Sequence, residues 1–107
     1  MPKKNTVLVS GVFNILHPGH IRFLRFARHY GDNLIVAVEG DKKAGENAHI
    51  PENLRLEALE SHNLVTEAFI SDEPIAEIIN RIKPEIVVKG KEYELLENPE
   101  SKAVLSY

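Results

Sequence analysis

The feature of the sequence that most constrains the fold is a regular alternation of short apolar runs with segments of helical periodicity. The apolar runs predict four strands, at residues 6–10, 33–39, 68–70 and 85–89. Apolar residues at helical spacing predict helices at 21–30, 52–62 and 73–82, and the tail 91–107 is predicted to be helical in two pieces broken at Pro99. This order favours an α/β fold, a Rossmann-like parallel sheet with helices on both faces.

Glycine and proline punctuate this pattern. Gly31 follows the first predicted helix as a stop signal, Pro51 precedes the second, and Pro74 is expected in the first turn of the third. Residues 40–50 are polar and contain two glycines, so we predict a loop there. A chain of 107 residues is expected to form one domain, spanning 1–107.

Composition excludes several classes of protein and site. The chain has no cysteine, which rules out disulfides, thiolate metal sites and thiol nucleophiles. No apolar run is long enough to cross a membrane or to serve as a secretory signal, so a cytoplasmic protein without a membrane partner is expected. The net charge of −3 does not favour a nucleic-acid partner.

The charge is unevenly distributed along the chain. Residues 1–31 hold five basic side chains and no carboxylate, whereas the remainder has a net charge of −8. A cationic segment in an acidic protein suits a small polyanion such as a nucleoside triphosphate. The alternative is that the arginines of the first helix form its solvated face; these are Arg22, Arg25 and Arg28.

The stretch 11–20 follows the first predicted strand and combines features of a phosphate site. Gly11 and Gly19 allow close approach of a ligand to the backbone, and Pro18 favours a first helical turn. Free N–H groups at the start of a helix attract phosphate. His17 and His20 are three residues apart, so both rings can point to one side and donate hydrogen bonds to phosphate oxygens.

The two histidines have other interpretations, as a pair of metal ligands or as core residues with satisfied hydrogen bonds. A zinc pair needs further ligands nearby, and the other histidines sit on separate elements without ligand spacing; these are His29, His49 and His62. We therefore expect no protein-held metal ion at His17 and His20.

Several stretches resemble one family. Residues 11–20, GVFNILHPGH, resemble the HxGH motif of the cytidylyltransferase-like nucleotidyltransferases, which include glycerol-3-phosphate cytidylyltransferase and heptose-1-phosphate adenylyltransferase. Residues 85–93, EIVVKGKEY, resemble the second family motif, an apolar strand that runs into Lys-Gly. Residues 40–43, GDKK, resemble the loop that supplies a lysine to the phosphates, and Arg55 matches a family arginine.

The resemblance implies transfer of CMP or AMP from CTP or ATP to a phosphorylated sugar or polyol, with Mg²⁺ accompanying the triphosphate. His17 and His20 are the implied catalytic residues. The implied nucleotide-binding residues are Gly11, Val12, Phe13, Asn14, Gly19, Lys42, Lys43, Arg55, Lys89 and Gly90. It also suggests a homodimer. On the residues alone, Lys42 and Lys43 could equally be solvated loop lysines.

The sequence departs from the family at three places. Asn14 stands where the family usually has Asp, and Val65-Thr66-Glu67 stands where many relatives have Val-Asp. Nothing in 98–107 supplies the family's late Ser/Thr-rich motif, so the domain is expected to be truncated at its C-terminus. The alternative function is therefore a catalytically impaired nucleotide-binding or scaffold domain of the same fold.

Overall fold

The protein forms a five-stranded parallel sheet. The computed structural model describes residues 5–14, 16, 18–89 and 103–106, the last four and Lys89 by their backbone alone. In chain order the elements are β1 (Thr6–Gly11), α1 (Pro18–His29), β2 (Asn33–Glu39), α2 (Asp41–Ala44), a 3₁₀ turn (Gly45–Asn47), α3 (Glu52–Glu60), β3 (Glu67–Ser71), α4 (Ile75–Ile82), β4 (Ile86–Lys89) and β5 (Ala103–Ser106). The strand order is β3-β2-β1-β4-β5 and every pair is parallel.

Both faces of the sheet are covered, which explains the nearly continuous apolar runs of β1 and β2. Val7 and Val9 of β1 are fully buried in a core that includes side chains of α1 and α3. Leu8, between them, points to the opposite face and packs in a second core with α4. The predicted Rossmann-like parallel sheet with helices on both faces is confirmed.

The topology places a switch point next to β1. Helix α1 carries the chain from β1 to its neighbour β2, whereas α4 brings the chain from β3 back across to β4 on the other side of β1. Helix α1, which leaves β1, and helix α4, which leads into β4, pack on opposite faces of the sheet. Open α/β sheets bind ligands in the crevice outside such a point. No helix in the described ranges is both long and apolar enough to cross a bilayer.

Most predicted elements are present, with small differences at their ends. Strand β2 has the predicted bounds. Helix α1 begins at Pro18, ahead of its periodic apolar stretch, because proline is tolerated where no N–H is required. Helix α4 begins only at Ile75, since Pro74 has extended backbone with ψ 146° and precedes the helix.

Two predictions were wrong. Residues 40–50 are not wholly loop, because α2 and the 3₁₀ turn lie within them. In the tail, Ala103–Ser106 is a strand rather than part of a helix, and it pairs with β4 from Ile86↔Ala103 to Lys89↔Ser106. A four-residue apolar run does not distinguish helix from strand, and pairing with β4 decides between them. The predicted break at Pro99 lies outside the described residues.

Candidate nucleotide site

The loop that follows β1 is held in a strained conformation. Phe13 has a positive φ of 54°, a region that bulky side chains rarely occupy, and its ring is buried in the core. Such strain persists only where packing determines the backbone, and it concentrates at functional sites. Packing of the buried Phe13 ring therefore determines the backbone conformation at this point, next to the carboxyl end of the central strand.

His20 lies in the first turn of α1, directly beside this loop. Its ring centroid is 5.8 Å from that of Phe13, with the planes tilted by 56°. Gly19 precedes it in the same turn. His17 lies outside the described residues, so a shared concavity for the two imidazoles stays a prediction.

The side chain of Arg55 connects several of the segments that form the candidate site. Its guanidinium is almost fully buried, and Nη1 donates to the carbonyl oxygens of Val12 at 2.8 Å and Glu39 at 2.6 Å. Nε donates to the carbonyl of Ile50 at 2.8 Å, and Nη2 pairs with Asp41 Oδ1 at 2.6 Å. The side chain of Arg55, on α3, thus connects the residues at the ends of β1 and β2 with the segment before α3. Its role in the structure is to position these three segments relative to one another.

Asn14 joins the same loop to the last residue of the 3₁₀ turn and to the segment that follows it. Its Nδ2 donates to the carbonyl of Asn47 at 2.7 Å, and its Oδ1 accepts from the backbone N–H of His49 at 2.7 Å. The residues that sequence analysis assigned to the loop after β1 and the loop after β2 are therefore in direct contact.

Acidic side chains accept hydrogen bonds from the backbone N–H groups at the start of α2. Asp72 Oδ1 accepts from the N–H of Lys43 at 2.9 Å, and Glu52 Oε1 accepts from the N–H of Asp41 at 2.7 Å. The carboxylate of Asp72 lies so close to Gly40 that a β carbon there would be 2.8 Å from Cγ of Asp72. A phosphate would therefore meet the side chains of this turn rather than its amides.

The two lysines of α2 differ in their surroundings. Lys43 Nζ donates to the carbonyl oxygen of Glu73 at 2.8 Å. The ammonium of Lys42 is exposed and forms no hydrogen bond or ion pair within the described part of the chain. Lys42 is thus the member of the predicted pair that can turn towards a ligand.

Glu73 forms a small polar cluster at the carboxyl end of β3. Arg81 Nη1 donates to both of its carboxylate oxygens at 2.7 Å, and the Ser71 hydroxyl donates to Oε1 at 3.0 Å. These hydrogen bonds, that from Arg81 first, hold the pKa of Glu73 below its ordinary value of 4.5. The cluster therefore stays ionised at neutral pH.

Among the described residues, two open cavities lie next to these elements. One of about 280 Å³ is lined by Asp41, Gly45, Ala48, His49, Ile50 and Pro51. The other, of about 410 Å³, lies along α1 and is lined by Leu16, Pro18, Ile21, Arg22 and Arg25. The first is walled by the segment that Asn14 and Arg55 hold in place.

The fold brings most of the predicted residues to one edge of the sheet. The residues at the carboxyl ends of β1 and β2 or in the turns that follow are Gly11, Val12, Phe13, Asn14, Gly19, His20, Lys42 and Lys43. Lys89 ends β4 at the same edge, while its side chain and Gly90 lie outside the description. Sequence analysis missed the carboxylates around α2, since Asp72 lies 29 residues from its partner and no local pattern links them.

The sequence is similar to those of several known proteins. The FAD synthase of Methanococcoides burtonii is 40% identical over 87 residues, a match that covers 78% of this chain and 61% of that enzyme. The bifunctional protein HldE of Campylobacter curvus is 39% identical over 98 residues, covering 86% of this chain and 21% of that protein. The chain thus spans about three fifths of the first relative's length and about one fifth of the second's.

The fold has a solved counterpart of similar extent. The lipopolysaccharide core biosynthesis protein of Thermoplasma volcanium superimposes with a TM-score of 0.84 and 25% identity, covering 97% of this chain and 96% of that one. The sequence itself matches the cytidylyltransferase-like family over residues 8–104, from the middle of β1 into β5. With the motif loop at the carboxyl end of the central strand, this match shows that the chain belongs to the cytidylyltransferase-like family.

Proposed function

We propose that this chain is the nucleotide-binding, catalytic part of a nucleotidyltransferase, acting on a nucleoside triphosphate and a phosphate-bearing acceptor. The observation that supports this most is the position of the loop 11–14 and His20 together at the carboxyl end of β1, beside the switch point. Nucleotide transfer requires positioning and charge stabilisation more than covalent catalysis, and a loop whose backbone is determined by the packing of Phe13 suits that requirement.

The proposed reaction is an in-line displacement. A phosphate oxygen of the acceptor forms a bond to the α-phosphorus, while the bond from that phosphorus to the bridging oxygen of the β-phosphate breaks and pyrophosphate leaves. His20, together with His17, donates hydrogen bonds to the charge that develops on the phosphoryl oxygens. Lys42 neutralises the outer phosphates, and Lys89 and Gly90 line the nucleoside pocket.

Mg²⁺ would enter with the triphosphate. Three side-chain oxygen atoms of the described residues already accept hydrogen bonds from the protein: Asp41 Oδ1 from Arg55, Asn14 Oδ1 from His49 and Asp72 Oδ1 from Lys43. Phosphate oxygens and water would therefore be its principal ligands, as Mg²⁺ prefers, and its chemistry is to offset phosphate charge.

The relatives favour ATP over CTP as the donor. A synthase of FAD joins an adenylyl group to the phosphate of flavin mononucleotide, and five of the similar proteins carry that name. The flavin phosphate sits on a ribityl chain, so this acceptor falls within the predicted class of phosphorylated polyols. We therefore propose ATP as donor and flavin mononucleotide as the first acceptor to try, followed by sugar phosphates.

The test combines binding with turnover. We expect MgATP to raise the thermal midpoint more than the Mg²⁺ complexes of CTP, GTP or UTP, because a ligand that prefers the native state stabilises it. We also expect pyrophosphate release with an acceptor. His20→Ala should abolish both effects, while His29→Ala, which removes a ring from the other end of α1, should abolish neither. Binding without pyrophosphate release from any acceptor would favour the impaired scaffold domain instead.

A further inference from the structure

The side chain of Asn14 uses both hydrogen-bonding groups of its carboxamide. Its two partners are a backbone carbonyl, which only accepts, and a backbone N–H, which only donates. The partners lie 33 and 35 residues further along the chain, so the bridge is a tertiary contact rather than a local turn. The bridge therefore requires one donor and one acceptor on the same short side chain.

An ionised carboxylate cannot form this bridge. Aspartate at position 14 would keep the bond from the N–H of His49 and would place a charged oxygen against the carbonyl of Asn47. Two oxygens at hydrogen-bond distance repel, so the segment would move away. The residue usual in the family at this position is thus incompatible with the contacts that this chain makes.

The segment that Asn14 holds contributes to the site. Residues 47–49 are otherwise anchored by the N–H of Ala48, which donates to the carbonyl of Gly45, while Ile50 is anchored by Arg55. His49 and its two neighbours wall the cavity of about 280 Å³. The same segment is connected through the 3₁₀ turn to α2, which carries Lys42. Loss of these two hydrogen bonds would therefore make the cavity wall less ordered. It would also make the position of Lys42 relative to a bound nucleotide less well defined.

We propose that Asn14 is a positioning residue whose carboxamide latches residues 47–49 onto the loop after β1. Aspartate at this position weakens nucleotide binding by this chain rather than improving it. The proposal rests on the proposed function for its ligand, and on the two hydrogen bonds for its mechanism.

The experiment compares Asn14→Asp with the wild type and with Asn63→Asp. Asn63 is exposed in the connection between α3 and β3, at the opposite end of the strands. The control variant Asn63→Asp therefore makes the same change in charge at a position away from the bridge. Trypsin cleavage after Lys42 and Lys43 reports the order of α2, which leads through the 3₁₀ turn into the segment, and titration with MgATP reports affinity. We expect Asn14→Asp to be cleaved faster and to bind about tenfold more weakly, the loss of roughly one hydrogen bond.

Acid should partly rescue the variant. A protonated aspartic acid again offers one donor and one acceptor, so the ratio of variant to wild-type affinity should rise as the pH falls from 7 towards about 4, where an aspartic acid begins to protonate. A general folding defect would not be relieved in this way. If Asn14→Asp does not fold, Asn14→Ala, which removes both bonds without adding charge, should show the same faster cleavage and weaker binding.

The outcomes separate the two levels of the proposal. Unchanged cleavage together with equal or tighter binding by Asn14→Asp overturns the latch. A wild-type protein that binds no nucleotide overturns the proposed function, and the cleavage rates then decide alone whether Asn14 holds the segment.

Discussion

The ring of Phe13 lies directly over the backbone of Gly11. A β carbon at Gly11 would be 3.0 Å from Cε2 and 3.2 Å from Cζ of that ring, closer than side chains normally approach. Gly11 is thus required by packing within the motif loop itself, since the buried ring that stabilises the strained backbone of Phe13 occupies the space that a side chain would need.

Gly11→Ala should therefore displace Phe13 and disturb the loop. We expect a loss of about 1–3 kcal/mol in the free energy of unfolding, typical of overpacking. Phe13→Leu removes the ring atoms, so the double variant should be less destabilised than the sum of the two single variants. Chemical denaturation measures all three, and strictly additive losses would show that the ring does not constrain position 11.

Arg55→Met tests the buried guanidinium. The substitution removes the partners of three backbone carbonyls, those of Val12, Glu39 and Ile50, and should lower the free energy of unfolding by about 3 kcal/mol. For a domain of this size the thermal midpoint should fall by more than about 10 °C.

The control for Arg55→Met is Arg81→Met. It breaks a partly exposed ion pair with Glu73 and should cost less than about 1 kcal/mol. Comparable losses in the two variants would contradict a special role for Arg55.

Lys42 and Lys43 are expected to contribute differently to the affinity for a nucleotide. Lys42→Ala is expected to weaken MgATP binding about fivefold, roughly 1 kcal/mol, while Lys43→Ala has a smaller effect because its ammonium is held by the carbonyl of Glu73. The contribution of Lys42 should shrink as salt is added, since screening weakens exposed charge pairs. Titration at low and high salt measures both, and a larger loss in Lys43→Ala would reverse the assignment.

The Glu73 cluster gives a pH prediction. Because the pKa of Glu73 is lowered in the folded protein, its contribution to stability is present above the unfolded value of 4.5 and is lost as the pH falls through the lower, folded-state value. The thermal midpoint of the wild type should exceed that of Glu73→Gln at pH 7, and the difference should close in acid. A difference between the wild type and Glu73→Gln that stays constant from pH 7 into acid would be inconsistent with a lowered pKa of Glu73.

The sequence predicted the architecture because its signals are local. The apolar runs of β1 and β2 are buried on both faces, and the helices that flank them carry clear periodicity, so strand and helix could be assigned from neighbouring residues alone. The position of the loop 11–14 followed from its place after the first strand.

The features that were missed depend on distant contacts. Helix α2 is stabilised by hydrogen bonds to the side chains of Glu52 and Asp72, and strand β5 is stabilised by its pairing with β4. The roles of Arg55 and Asn14 in joining loops likewise rest on residues far apart in sequence. Motif resemblance located these residues at the site, whereas their partners became evident only in the folded chain.

The most direct test of the nucleotide site is a titration of the ¹⁵N-labelled protein with MgATP, followed by the backbone amide resonances. We predict that the largest shifts occur at Gly11–Asn14 and at Gly19 and His20, with smaller shifts at Lys42, and that the helix α4 on the opposite face of the sheet is unaffected. Saturable shifts confined to α4, or no shifts at millimolar MgATP, would contradict a nucleotide site at the carboxyl end of β1.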